Sequence, residues 1–405
     1  MEKIETIIVG GGQAGLATSY HLKQLGWEHI VFEAAEKAGH AWRTDRWDSF
    51  TLVTPNWSIQ LPGAHYDGND PDGFLPKDEI VAYFERYVEK YALPVRYNTT
   101  VLEVTPLHAG GYQVKTSGGE YQAKNVVVAT GSFQKPKIPA FSANIPAEIL
   151  QLHSGHYRNP SQLPGGAVLV VGSGQSGMQI TEELYQNGRT VYLCTGSAAR
   201  VPRRYRGRDI VTWLADTGFF DQTVDKLPSP KARFAGNPQA TGKNGGHSIS
   251  LHQYARDGVK LLGHITGAQD GKVIFAPDLK ENLAKVDKAE KDIIAMIDRY
   301  IEANGINAPQ EILPDLQDGY AMEVITELDL ESAGINTVIW AMGYTADYSL
   351  VKLPLTDEDG FPIQKCGVTQ YPGLYFVGTN WLNKRKSTIL LGVNEDVEHI
   401  IAMMT

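Results

Sequence analysis

Apolar residues along this chain fall into short unbroken runs separated by amphipathic stretches. Ile4 to Val9 is one such run, rich in β-branched residues, and reads as a buried parallel strand. Apolar positions then recur at helical spacing through Leu16, Tyr20 and Leu25, and His29 to Phe32 predicts a second strand. The same order returns later: Val168 to Val171 as strand, Gln175 to Gln186 as helix, Thr190 to Cys194 as strand. Between the two lie a predicted helix, Lys77 to Tyr91, and strands at about 94–97, 99–106, 111–116 and Tyr121 to Val128. Beyond residue 205 the pattern weakens to a strand at Lys260 to Ile265 and a helix at Glu281 to Ala303. Strand-like runs follow at Thr337 to Met342 and Leu374 to Val377, with a helix over about 388–403 starting near Ser387. Strands alternating with helices predict an α/β fold with parallel sheets flanked by helices.

Both strand-to-helix junctions carry the same glycine turn, Gly10-x-Gly12-x-x-Gly15 and Gly172-x-Gly174-x-x-Gly177. In each, the first glycine permits the tight turn, the second lets backbone N–H groups approach a pyrophosphate, and the third allows helix to pack on strand. The helix amino terminus then offers unpaired N–H groups and a positive dipole end to phosphate. In the first copy the second strand ends at Glu33, an acceptor for ribose hydroxyls. In the second copy the equivalent position is Thr195, followed by Ser197, Arg200, Arg203 and Arg204. Hydroxyls and guanidinium groups suit a 2′-phosphate where a carboxylate would repel it, so the second turn is expected to prefer NADP over NAD. The two turns predict two Rossmann-like units. A first unit over 1–150 is interrupted by a second over 151–330, and 331–405 returns to the first.

The 405 residues carry a net charge of -9, which argues against nucleic acid as the main partner. Two cysteines, Cys194 and Cys366, lie far apart, so no disulfide framework, CxxC pair or zinc spacing is present; a reducing, cytoplasmic setting is expected. Glu2 and Glu5 interrupt any apolar leader, and no run reaches membrane-spanning length. No metal site and no membrane partner are expected. The irregular stretch from Gly39 to Gly73 holds Trp42, Trp47 and Trp57, which suits a binding wall. Trp381 is a further candidate wall, and His40, His153 and His156 are candidate acids or bases, although a lone histidine is more often structural.

Taken together, these motifs resemble class B flavin-dependent monooxygenases of the flavin-containing type, relatives of the plant auxin-forming flavin enzymes. The resemblance rests on both glycine turns, on Gly39-His40-Ala41-Trp42-Arg43, and on Ala129-Thr130-Gly131. It continues through His153-Ser154-Gly155-His156-Tyr157-Arg158, Ala341-Met342-Gly343-Tyr344 and the late strand Gly373 to Gly378, and is weakest over 205–320. Tyr157 stands where Baeyer–Villiger enzymes carry Trp, and Met342 where the motif usually has Thr. The resemblance implies FAD at the first turn and NADPH at the second. Its expected cofactor-binding set is Gly10, Gly12, Gln13, Ala14, Gly15, Glu33, Ala34, His40, Trp42, Arg43, Thr54, Val101, Ala129, Thr130, Gly131, Met342, Gly343, Tyr344, Gly378 and Leu391, with Gly172, Gly174, Gln175, Ser176, Gly177, Thr195, Ser197, Arg200, Arg203 and Arg204. Asn56 is the candidate active-site Asn, and His153 is expected to set the hinge between units. The implied reaction forms a C4a-hydroperoxyflavin from O2 and transfers one oxygen to sulfur, nitrogen or an α-keto acid of a small molecule. A quinone or ferredoxin reductase without oxygen transfer is the alternative, and a disulfide reductase lacks its thiol pair.

Overall fold

The computed structural model describes residues 2–404. Its first unit opens with β1 (Glu2–Val9), α1 (Gln13–Gln24) and β2 (His29–Phe32), followed by α2 (Lys77–Lys90), β3 (Val95–Arg96), β4 (Val101–Pro106), β5 (Tyr112–Thr116) and β6 (Gly119–Val128). The second unit holds β7 (Leu150–His153), β8 (Ala167–Val171), α3 (Gln175–Gln186), β9 (Val191–Cys194), β10 (Lys260–Leu262), α4 (Leu279–Ala303) and β11 (Ile335–Trp340). The chain then returns to the first sheet with β12 (Leu374–Phe376) and closes on α5 (Val393–Met404).

β6 organises the first sheet. One edge runs parallel to β1 from Tyr121 opposite Glu2 to Val128 opposite Val9. Its other edge is divided. The amino-terminal half pairs antiparallel with β5, and Val126, Val127 and Val128 pair parallel with β12. Tyr121, Ala123 and Val126 to Val128 are buried, because this strand is covered on both faces where it approaches the glycine turn. The second sheet is all parallel, in the order β7-β11-β8-β9-β10. All five residues of β8 are buried, as a central parallel strand requires.

Two expectations shift. The strand at 335–340 pairs with β7 and β8, so it completes the second sheet although it falls in the stretch expected to return to the first. An apolar run buried on both faces carries no mark of which sheet will receive it, and the return is made by β12 instead. The last helix begins at Val393, not near Ser387. The Ser387 hydroxyl accepts from the N–H groups of Asn383 (3.2 Å) and Lys384 (3.1 Å), anchoring a turn there, and the helix starts only past Gly392.

α5 packs against α1, the helix that carries the first glycine turn. The Gln13 amide donates to the Thr388 carbonyl at 2.6 Å, and His21 bonds Asn394 at 2.8 Å. Within α5, Asp396 is buried and its Oδ2 has no hydrogen-bond partner among the described residues. Burial pushes its carboxyl up to about 6, against the pull of a bond from Ser387. An acid whose folded pKa is raised loses stability as pH climbs from its unfolded value near 3.8 through about 6. Asp396→Asn is therefore expected to stabilise the protein at pH 7 by roughly 1–3 kcal/mol, with the gain gone below about pH 4. Denaturant unfolding of both proteins at the two pH values measures this.

Candidate functional site

At Gly10 (φ +108°) a Cβ would stand 2.7 Å from the Ala129 carbonyl oxygen, and at Gly15 it would stand 1.9 Å from that of Gly10. The second turn repeats this. A Cβ on Gly172 (φ +109°) would lie 2.6 Å from the Ala341 oxygen, and one on Gly177 would lie 1.7 Å from the Gly172 oxygen. The ends of β6 and β11 thus play the same part, each crossing beside a glycine turn and leaving by a left-handed glycine, Gly131 or Gly343. Around Gly12 and Gly174 no atom comes within 4 Å of the missing Cβ, and neither α1 nor α3 has a side-chain cap. The open second glycine and uncapped helix terminus are the geometry that a pyrophosphate needs.

A cavity of about 1280 Å³ opens from the first turn. Gly10, Gly12, Gln13, Ala14, Glu33, His40, Trp42, Thr54, Ala129, Thr130, Gly131, Met342, Gly343, Tyr344 and Gly378 all line it. Glu33 is held in place by the N–H of Gly11 (2.6 Å to Oε2) and of Ala35 (2.8 Å to Oε1). Five basic side chains reach the wall, namely Arg46, Lys137, Lys231, Arg233 and Arg385, against three acids, Glu33, Asp45 and Asp359. That excess suits an anionic dinucleotide. Trp381 forms part of the wall and Trp57 does not.

His153 stands where the units meet. It is buried at the end of β7, and its Nε2 lies 2.9 Å from the Gly343 carbonyl. The Gly155 N–H donates to Nδ1 (3.2 Å), so Nε2 carries the proton and the ring is neutral. Burial lowers its pKa, and the Tyr344 ring stands edge-on at 4.6 Å. His153 therefore ties β7 to the turn after β11, its neighbour in the second sheet, beside the cavity, and its Nε2 proton is engaged by the Gly343 carbonyl.

Other expected residues lie elsewhere. Asn56 is buried with its amide donating to the Asp70 carbonyl (2.9 Å) and accepting from the Leu75 N–H (2.7 Å), so it staples a loop and does not line the cavity. Arg43 pairs with Glu85 at 2.9 Å, and the guanidinium on the wall is that of Arg46, stacked near Trp42 (5.3 Å) and Phe50 (5.5 Å). Ala34, Val101 and Leu391 also lie off the wall. Gly15 serves packing within its turn. No spacing separates Arg43 from Arg46, since only the direction taken by the short helix His40–Thr44 distinguishes them.

Around the second turn, Gln175 exchanges hydrogen bonds with the backbone of Ala240 (2.6 and 3.3 Å), and Gly196 donates to the Ser173 hydroxyl at 2.8 Å. Gly172, Gly174, Gln175, Ser176 and Gly177 keep the geometry of the first copy, but the expected phosphate grip is mostly committed. The Thr195 hydroxyl is buried and donates to the Leu262 carbonyl (2.7 Å). Arg200 pairs with Asp287 (2.9 Å) and Glu290 (2.7 Å). Arg203 is buried against Asp209, the Val53 carbonyl (2.7 Å) and the Phe74 ring (4.7 Å). Ser197 and Arg204 remain exposed, Arg204 donating to the carbonyls of Gly245 and Gly246. Arg203→Ala is thus expected to destabilise the fold by about 3–5 kcal/mol, because it strands the Asp209 carboxylate. The ratio of NADPH to NADH affinity should stay unchanged, and a fall in that ratio without loss of stability would return Arg203 to the nucleotide.

Residues 7–215 match the family described as pyridine nucleotide-disulphide oxidoreductase. The chain is 34% identical over 400 residues to the CzcO-like oxidoreductase of Geobacillus kaustophilus, covering 98% of this chain and 97% of that protein. It is 32% identical over 204 residues to the indole-3-pyruvate monooxygenase YUCCA1 of Oryza sativa, about half of each chain (50% of both). A flavin-containing monooxygenase from Stenotrophomonas maltophilia superposes on it with a TM-score of 0.68 at 20% identity, covering 100% of this chain and 98% of the other. No helix among the described residues is long and apolar enough to cross a membrane. The chain belongs to the pyridine nucleotide-disulphide oxidoreductase family and is an oxidoreductase with the paired-nucleotide fold of class B flavin monooxygenases.

Proposed function

We propose that this protein is an FAD- and NADPH-dependent monooxygenase that transfers one atom of O2 to a small molecule. The observation that carries this reading is a pair of glycine cradles, the first of which opens on a cavity that no cysteine lines. Cys194 is buried at the end of β9, and burial pushes its thiol well up. Cys366 lies in a turn with its thiol 3.4 Å from Asn383. A disulfide reductase needs a reactive thiol beside its flavin, so the family's disulfide chemistry has no home here.

FAD would be held by the turn Gly10 to Gly15, by Glu33 at the ribose, and by the wall from Trp42 through Thr54 to Gly378. NADPH would be held at Gly172 to Gly177. Bound FAD supplies the hydride acceptor and the centre that activates oxygen. The chain's own part is to orient and to keep out water. Trp42, Trp381 and Tyr344 supply aromatic wall, and neutral His153 fixes the turn before Tyr344 without offering a proton. The Arg233 guanidinium pairs with Asp357 and lies 3.5 Å from Asp359, clamping the loop around Phe234 against the first unit over the cavity. The likeness over half the chain to a plant keto-acid monooxygenase supports the same reaction type.

The purified protein should be yellow, and NADPH should reduce its flavin faster than NADH does. Rapid mixing of the reduced enzyme with oxygen should reveal a spectral species that persists before oxidised flavin returns. Immediate return to oxidised flavin, with efficient reduction of a quinone or ferredoxin, would instead make the protein a reductase.

A further inference from the structure

Three basic residues stand in succession at Lys384, Arg385 and Lys386, and they are treated differently. Lys384 pairs with Asp221 (3.2 Å) and Glu395 (2.9 Å), and Lys386 pairs with the same two carboxylates. Arg385, between them, has no carboxylate partner among the described residues. Its guanidinium lies over the rings of Phe219 (4.2 Å) and Trp381 (4.6 Å) and lines the cavity. Its polar contacts are neutral: Nη2 donates to the Gln222 amide at 3.1 Å, and Nη1 stands 3.5 Å from that of Asn237. Its Nε is buried and has no hydrogen-bond partner among the described residues. Burial alone lowers its pKa, to about 10, so it stays charged at neutral pH. A cation held between aromatic faces, with its neighbours neutralised and a buried donor left over, lacks the one thing a guanidinium fork matches best, a carboxylate.

Arg385 also belongs to neither glycine cradle. Phe219 and Gln222 follow the short helix Ile210–Asp216, and Asn237 ends the loop that Arg233 clamps, so its surroundings come from the excursion between β9 and β10. The same cavity wall also carries the apolar side chains of Phe234, Ile389 and Leu390. We propose that Arg385 is the carboxylate-binding residue of a substrate subsite in this cavity, and that the oxygen acceptor is a small apolar or aromatic acid. This rests on the monooxygenase reading only in taking the cavity as the acceptor's place.

The test is equilibrium binding to the FAD-loaded protein without NADPH, so it stands apart from whether oxygen is transferred. Phenylacetate and its neutral analogue phenylacetamide are titrated against the flavin spectrum. The wild-type protein should bind the acid at least about tenfold more tightly than the amide, the ratio expected of one charge-assisted bidentate contact. Arg385→Gln should bring the two affinities together, and Arg385→Lys should restore part of the difference. FAD content and melting temperature of each variant report on folding. If the wild-type protein binds acid and amide alike, the proposal is overturned without any variant. It is equally overturned if Arg385→Gln keeps the preference, or if it weakens NADPH binding and leaves the preference intact.

Discussion

The structure depends on four places where a side chain cannot exist. At Gly10 and Gly172 the backbone of a neighbouring strand crosses so closely that a Cβ would fall within 2.7 Å of a carbonyl oxygen. At Gly15 and Gly177 the helix lies against the turn that precedes it, and the clash would be under 2 Å. These contacts force β1 to feed α1, and β8 to feed α3, through the tightest turn the backbone permits. They also bring a third strand end, Ala129 or Ala341, up beside each turn. The pyrophosphate cradle is thus a consequence of packing. The helix must begin there, and nothing but open space faces its first N–H groups.

From that constraint the cavity follows. Its walls run from the Gly10 turn past the end of β6 at Ala129 to Gly131 and across to Gly343 and Tyr344, which follow β11. The turn after β11 is held by neutral hydrogen bonds, with His153 donating to Gly343 and accepting from Gly155. The ion pairs tie other segments together. Arg233 holds its loop to Asp357 and Asp359, Arg200 is spent on Asp287 and Glu290 inside the second unit, and Arg203 pairs with Asp209 while reaching the Val53 carbonyl of the first. Ion pairs therefore fix the frame, while Arg46 and Arg385 on the wall lie over the rings of Trp42 and Trp381.

What was legible in the sequence is what is local. The turn at Gly10 to Gly15 and its repeat at Gly172 to Gly177 are decided within six residues, and Glu33 by its place at the end of β2. The fold class followed from those and from alternating strand and helix runs. A second repeat was also present in the sequence, Ala129-Thr130-Gly131 against Ala341-Met342-Gly343, but only its geometry beside the two glycine turns reveals it as one. Residues whose role depends on distant partners could not be read. Arg203 meets Asp209 only because the chain doubles back at residues 204–209, and Arg43 meets Glu85 across α2. The loop that sends Asn56 to Leu75 has no local signature. The sheet that receives β11 is equally unmarked, because its apolar run would satisfy either.

The same distinction bears on the chemistry. A reactive thiol would have to sit near the first turn, since that is where a flavin can reach it, and the cavity wall there is Gln13 and Ala14. Both cysteines are elsewhere, one buried at the end of β9 and the other bonded to Asn383. Electrons delivered to this cavity thus have no thiol acceptor in this chain. They would leave on oxygen, on another small molecule or on an external carrier such as a ferredoxin. Under the proposed reading, the rings of Trp42, Trp381 and Tyr344 and the neutral His153 would help to keep water and protons from the reacting centre. A reductase that passes electrons outward would gain nothing from that, whereas oxygen transfer depends on it.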